Sequence, residues 1–115
     1  MIRSGEIYVA DFGQAGPHPV IVVSREDLNR GDYLVGLVVT SAKFAVRSKL
    51  PNCVPLKAGQ FGLSKDCVVQ AESITNVPID QLDLANGPIG TLDDATLRDV
   101  IKAIGHVIES DCEPV

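Results

Sequence analysis

The sequence predicts an α+β fold: an antiparallel sheet of short strands, strongly curved or closed into a small barrel, with one C-terminal helix packed on it. Two patterns carry this expectation. Over the first two-thirds of the 115 residues, β-branched runs of strand length alternate with turns rich in glycine and proline. In the last third, Leu97, Val100, Ile101, Ile104, Val107 and Ile108 recur at steps of three and four, the spacing of one face of an α-helix. A chain of this length buries roughly two-thirds of the surface that its unfolded form exposes, so a single domain over 1–115 is expected.

Residues 6–12, EIYVADF, alternate in part and suit a strand with one buried face. GQAGPHP follows, with two glycines and two prolines in seven residues, and reads as a loop because proline cannot donate to a ladder. Residues 20–24, VIVVS, form a continuous β-branched run expected to be a central strand. REDLNRGD carries the turn formers Asn29, Gly31 and Asp32 and fits a short helical turn or an irregular connection. YLVGLVVTS, 33–41, reads as the longest strand, with Thr40 near its end. CVPL at 53–56 and CVVQA at 67–71 are short strands separated by the glycine-bearing KAGQFGLSKD. Thr91 with Asp94, or Asp93 alone, can cap the final helix, while Gly105 inside it costs about 1 kcal/mol relative to alanine.

A formal net charge of −5 opposes non-specific attraction to nucleic acid, so an RNA enzyme of this composition must use a local basic surface. Lys43, Arg47 and Lys49 supply one, with no acid among them. Cys53, Cys67 and Cys112 are odd in number, far apart and without a Cys-x-x-Cys pair, and are expected reduced, with the cytoplasm as the compartment. The opening MIRSGEIYVADF lacks the apolar stretch of a secretory signal, and no run approaches the roughly 20 apolar residues of a membrane span. There is no glycine-rich phosphate loop, nucleophile elbow or metal-ligand spacing, so neither cofactor nor metal is expected.

Four side chains merit attention as chemistry. His18 stands between two prolines in the predicted loop, where neither core nor helix needs an imidazole, and loops on rigid scaffolds often hold catalytic groups. His106, off the main apolar positions of the helix, reads as a surface residue. Thr40 ends an apolar strand, and Glu72 follows another; Glu72 and His18 would make an acid–base couple if the fold joined them.

The order of several segments gives these signals a common frame. RSGEIYVADF, HPVIVVSREDLNR, VGLVVTSA, LPNCVPL, GLSKDCVVQAESI and GPIGTLDDATLRDVIKAI together resemble the MazF/PemK toxin endoribonucleases, or mRNA interferases, along nearly the whole chain. No single piece is specific; their collinear order is. The resemblance implies an SH3-like curved barrel of the CcdB/MazF-like toxin fold, a two-fold homodimer, single-stranded RNA bound across the dimer groove, and a cognate antitoxin. It also implies metal-free, sequence-specific cleavage in which the RNA 2′-hydroxyl attacks the adjacent phosphate, leaving a 2′,3′-cyclic phosphate and a 5′-hydroxyl. Thr40 falls on the family's catalytic threonine, Glu72 on a carboxylate that some members use, and Ser41, Lys43, Arg47 and Lys49 on the RNA side.

Two departures stand out. GQAGPHP is shorter than the family's loop and puts His18 where most members have arginine, and Ile74-Thr75-Asn76 lacks the cation of the usual Ile-Arg-Thr. Imidazole can carry charge or accept a proton, whereas arginine is always charged. The rival reading is a catalytically weak or inactive protein of the same fold acting on a protein target, as CcdB-like toxins do. A third, an SH3-like peptide or DNA module, is disfavoured by 4% aromatic residues and negative charge.

Overall fold

Strand β1, Glu6–Asp11, buries Ile7 on one face and Tyr8 and Ala10 on the other, and pairs antiparallel with β2, Pro17–Val22. The computed structural model describes residues 1–108. It continues with β3 (Tyr33–Thr40), a one-turn helix α1 (Phe44–Arg47), β4 (Cys53–Leu56), β5 (Cys67–Pro78), β6 (Gly90–Thr91) and the helix α2 (Asp94–Gly105). The strands form one curled antiparallel sheet in the order β4-β5-β3-β2-β1-β6, as expected for the α+β class.

Pro17, His18 and Pro19 belong to β2, which corrects the predicted loop: only Gly13–Ala15 forms a short turn there. The Phe12 N–H donates to the Gly16 carbonyl, so by alternation Ala10 and His18 face each other as a hydrogen-bonded pair. Pro17 and Pro19 occupy the intervening positions, where the missing N–H points away from β1. On that side β3 pairs only with Val20–Val22, so no ladder bond is lost.

Strand β5 is also longer than expected. It has 12 residues against eight in β3, because its second half, Ile74–Pro78, pairs with Tyr33–Leu37. Between the pairs Val39↔Val69 and Leu37↔Ile74 the register shifts, and residues 70–73 bulge. Ser73 pins the bulge by donating from its hydroxyl to Gln70 and Val38 carbonyls. The polar Glu72-Ser73 pair hides this continuation from a reading based on alternation.

The sheet has a core on each face. Ile7, Ile21, Leu37, Val39, Leu56, Val69 and Ala71 meet Val100 and Ala103 of α2, while Tyr8, Ala10, Val20, Val22, Leu34, Val77 and Leu82 pack on the opposite side. Each fully buried valine, leucine or isoleucine contributes about 1.5–3 kcal/mol. The β4–β5 loop crosses to the far edge: a Cβ on Gly62 would sit 1.8 Å from the Ile89 carbonyl oxygen, and one on Gly90 1.8 Å from that of Phe61. Backbone contact this close needs glycine on both sides, and it draws the open sheet toward a barrel.

Asp93 is the cap of α2, accepting from the Thr96 N–H at 2.8 Å, and hydrogen bonds from Thr96 hold its carboxyl below the usual carboxylate range. Thr91 is not the cap, because it pairs with Glu6 in β6. The helix ends at Gly105, so Val107 and Ile108 lie beyond it and are exposed, and Ile101 is 53% exposed. The apolar stripe therefore exceeds what the core accepts. Ser24 and Asn29, both buried, bond to each other; Asn29 also donates to the Ile2 carbonyl, tying the 24–32 connection to the N-terminal segment. No described helix is long and apolar enough to cross a membrane. Cys53 and Cys67 are free thiols; Cys112 lies outside the described residues.

Candidate functional site

Where β2 and β3 stop pairing, the sheet opens into a cleft of about 420 Å³. Val9, Pro19 and Val39 form its apolar wall, Cys67 lies at its base, and Gly62–Lys65 with Ile89 close the far side. His18, Thr40 and Ser41 line it together. The cleft is of the size that takes a small ligand or one nucleotide unit.

The His18 ring Nε2 lies 2.9 Å from the Ala15 carbonyl oxygen. A carbonyl only accepts, so Nε2 carries hydrogen and Nδ1 remains the nitrogen open for chemistry. The Phe12 ring lies tilted beside the imidazole, 6.2 Å between centroids. The Thr40 hydroxyl oxygen accepts from the Ala42 N–H at 3.1 Å, which leaves its own hydrogen to donate. The Arg47 guanidinium donates to the Ala42 carbonyl, so α1 folds back against the turn that carries Thr40 and Ser41. Lys43, left-handed with φ of 54°, starts that helix; Lys43 and Lys49 are exposed. The basic stretch thus adjoins the cleft.

Glu72 is placed differently. It sits in the bulge of β5, exposed, and accepts from the Asn52 side-chain amide at 2.8 Å; it does not line the cleft with His18. Its charge is felt by Cys53, whose thiol is pushed up by burial first and by Glu72 second, with Arg47 opposing. Burial likewise pushes up the Cys67 thiol, with Asp66 adding and Lys65 opposing, so neither cysteine is an activated nucleophile. His106 is exposed and caps the end of α2, far along the chain from the cleft residues.

Two cleft residues, Lys65 and Cys67, escape the sequence reading, which treats 57–66 only as a turn. The signal available was charge: from Tyr33 to Lys65 the chain carries five cations and no acid. Lys57, the fourth, stands 5.0 Å over the Phe44 ring and 3.9 Å from Asp66, joining this loop to α1. Among the described residues no three His, Cys, Asp or Glu side chains converge as a metal site.

The family described as PemK-like, MazF-like toxin of type II toxin-antitoxin system matches residues 3–108. The chain belongs to this family. Among solved structures, a mycobacterial endoribonuclease in complex with its cognate antitoxin is 21% identical, with a TM-score of 0.80 over 98% of this chain and 100% of that one. The Mycobacterium tuberculosis toxin MazF-mt6 is 22% identical with a TM-score of 0.73, covering 88% of this chain and 93% of its own. A Deinococcus radiodurans MazE–MazF complex gives 18% identity and a TM-score of 0.73, covering 94% and 95%. No curated protein matches the sequence. At these identities the structures bear on the fold, and they agree with the curled sheet and C-terminal helix expected for a MazF-like toxin.

Proposed function

We propose that this MazF-like toxin is an endoribonuclease that cuts single-stranded RNA at a specific sequence, without a metal. The observation that carries this reading is the convergence of His18, Thr40 and Ser41 on one cleft beside the basic helix α1, in a chain of this family. The 2′-oxygen attacks phosphorus as its proton passes to water, the P–O5′ bond breaks, and the 5′-oxygen takes a proton from water, giving a 2′,3′-cyclic phosphate and a 5′-hydroxyl. The enzyme has to assist both proton transfers and stabilise the charge that builds on the phosphorane. His18 works through Nδ1: as imidazolium it donates to a non-bridging oxygen, the role we favour because the position matches arginine in the family. Thr40 donates its hydroxyl hydrogen to the same phosphate, and Ser41, Lys43, Arg47 and Lys49 hold flanking nucleotides. Glu72, bonded to Asn52 and not lining the cleft, has no direct part in this reaction scheme.

The functional unit is a cytoplasmic homodimer. Leu28 and Ile101, 64% and 53% exposed, border an apolar groove with Val23, Val35, Ile74 and Ile104, a surface that a second copy would cover. An antitoxin with an acidic, initially disordered segment is the matching partner of the basic rim, as the antitoxin-bound relatives suggest. Replacing Lys43, Arg47 and Lys49 together by serine should weaken that complex; unchanged affinity would place the antitoxin elsewhere.

The direct test is incubation of the purified chain with labelled RNA in EDTA, with mapping of the ends. Discrete fragments with 5′-hydroxyl and cyclic-phosphate termini are expected from single strands. Intact RNA from pH 6 to 8 would favour the rival, a non-catalytic toxin of the same fold, for which the family arginine's replacement by His18 is the supporting feature.

A further inference from the structure

We propose that Lys65 is a phosphate-binding residue of the cleft, supplying a cation from the β4–β5 loop to the pocket that His18 and Thr40 line. This rests on the reading of the cleft as the RNA site and adds a residue to it. Lys65 lines the same cleft as His18 and Thr40. Its acidic neighbour Asp66 is engaged elsewhere, accepting from the Ala58 N–H at 2.9 Å and facing the Lys57 ammonium at 3.9 Å. Lys65 itself has no ion-pair partner among the described residues.

The loop presents the ammonium from a fixed platform. Gly59 N–H donates to the Leu63 carbonyl at 2.8 Å, Leu63 N–H to Gln60 at 2.9 Å, and Lys57 N–H to the Gln60 side chain at 3.1 Å. Leu63 is buried, Gly62 rests on the Ile89–Gly90 backbone, and the Lys65 carbonyl accepts from the Cys67 thiol. A cation without a carboxylate partner, lining one cleft with hydroxyl and imidazole groups, is suited to a phosphate oxygen.

The test compares the parent chain with Lys65→Met and Lys65→Arg, and with Lys102→Met on α2 as a control. Binding of a single-stranded oligodeoxynucleotide, which lacks the attacking 2′-hydroxyl, is followed by fluorescence anisotropy across salt concentrations, and RNA cleavage is measured in parallel. Loss of one phosphate contact lowers the slope of log affinity against log salt by about 0.7 for a single strand. That reduction is expected for Lys65→Met and for neither of the other variants, together with a cleavage rate about 10²-fold lower for Lys65→Met. Equal slopes for parent and Lys65→Met overturn the proposal, whether or not RNA is cut. A reduced slope with no cleavage by the parent supports Lys65 while removing the catalytic reading. A parent that binds no single strand removes both.

Discussion

Two depressions of similar size, about 420 and about 400 Å³, lie on this molecule and are built from opposite materials. The first opens where the β2–β3 ladder ends, and gathers an imidazole, three hydroxyls and an ammonium around an apolar wall. The second lies between α2 and the 24–28 segment, and is lined mainly by Val23, Leu28, Val35, Ile74, Ile101 and Ile104, with Ser24 and Arg25 at the connection. The difference follows from how each arises. An interrupted ladder leaves strand ends whose side chains need not pack, so polar groups there are free for chemistry. A helix whose apolar stripe is wider than the core beneath it leaves aliphatic surface that only another apolar surface satisfies.

The sharpest way to break this division is at His18. His18→Ala should lower cleavage by about 10²–10⁴-fold from pH 6 to 8, whereas His18→Arg, which keeps a cation at that position, should retain activity. Initial rates on one labelled RNA check both; a fully active His18→Ala would mean that the cleft chemistry lies elsewhere. Next in size is the groove. Ile101→Asp should weaken self-association by roughly 10- to 100-fold, since a buried isoleucine contributes about 1.5–3 kcal/mol, while leaving the circular dichroism unchanged. Light scattering that finds the parent monomeric at micromolar concentration would deprive the groove of this role.

A smaller effect is expected at Glu72, whose partner is Asn52 and not the cleft. Glu72→Gln keeps an acceptor for the Asn52 amide and should change the cleavage rate no more than roughly twofold, corresponding to about 0.5 kcal/mol, whereas Thr40→Ala should be severely impaired without loss of fold. Comparable losses for both would place the carboxylate in the reaction after all. The mildest effect concerns stability alone. Because the folded Asp93 carboxyl is held below its ordinary range, its contribution is fully present above that range and disappears as pH falls through the folded value. Asp93→Ala should therefore lower Tm by a few degrees at pH 7, and the difference from the parent should shrink in acid, as calorimetry at two pH values would show.

Much of the scaffold is written locally. Val20–Val22, Tyr33–Thr40 and Cys53–Leu56 are strands because β-branched and apolar residues favour a pleated buried surface, and α2 begins where Asp93 can accept from the Thr96 N–H. His18 was visible as a candidate because neither core nor helix needs an imidazole between two prolines, whereas Thr40 suits a strand end and, with Ser41, became a candidate only through the family resemblance. What local pattern could not settle depended on a neighbour. Prolines 17 and 19 fit a strand only because β3 leaves their N–H side unpaired, and β5 runs on past Glu72 only because Ile74–Pro78 finds β3 after the bulge. Lys65 shares a cleft with His18 and Thr40 because the loop after β4 crosses to β6 and seats Gly62 on the Ile89–Gly90 backbone. Propensity, capping and periodicity act over a few residues and could be read along the chain; ladder register, bulge position and loop crossing are contacts between distant residues, so the tertiary structure alone decided which side chains share the cleft.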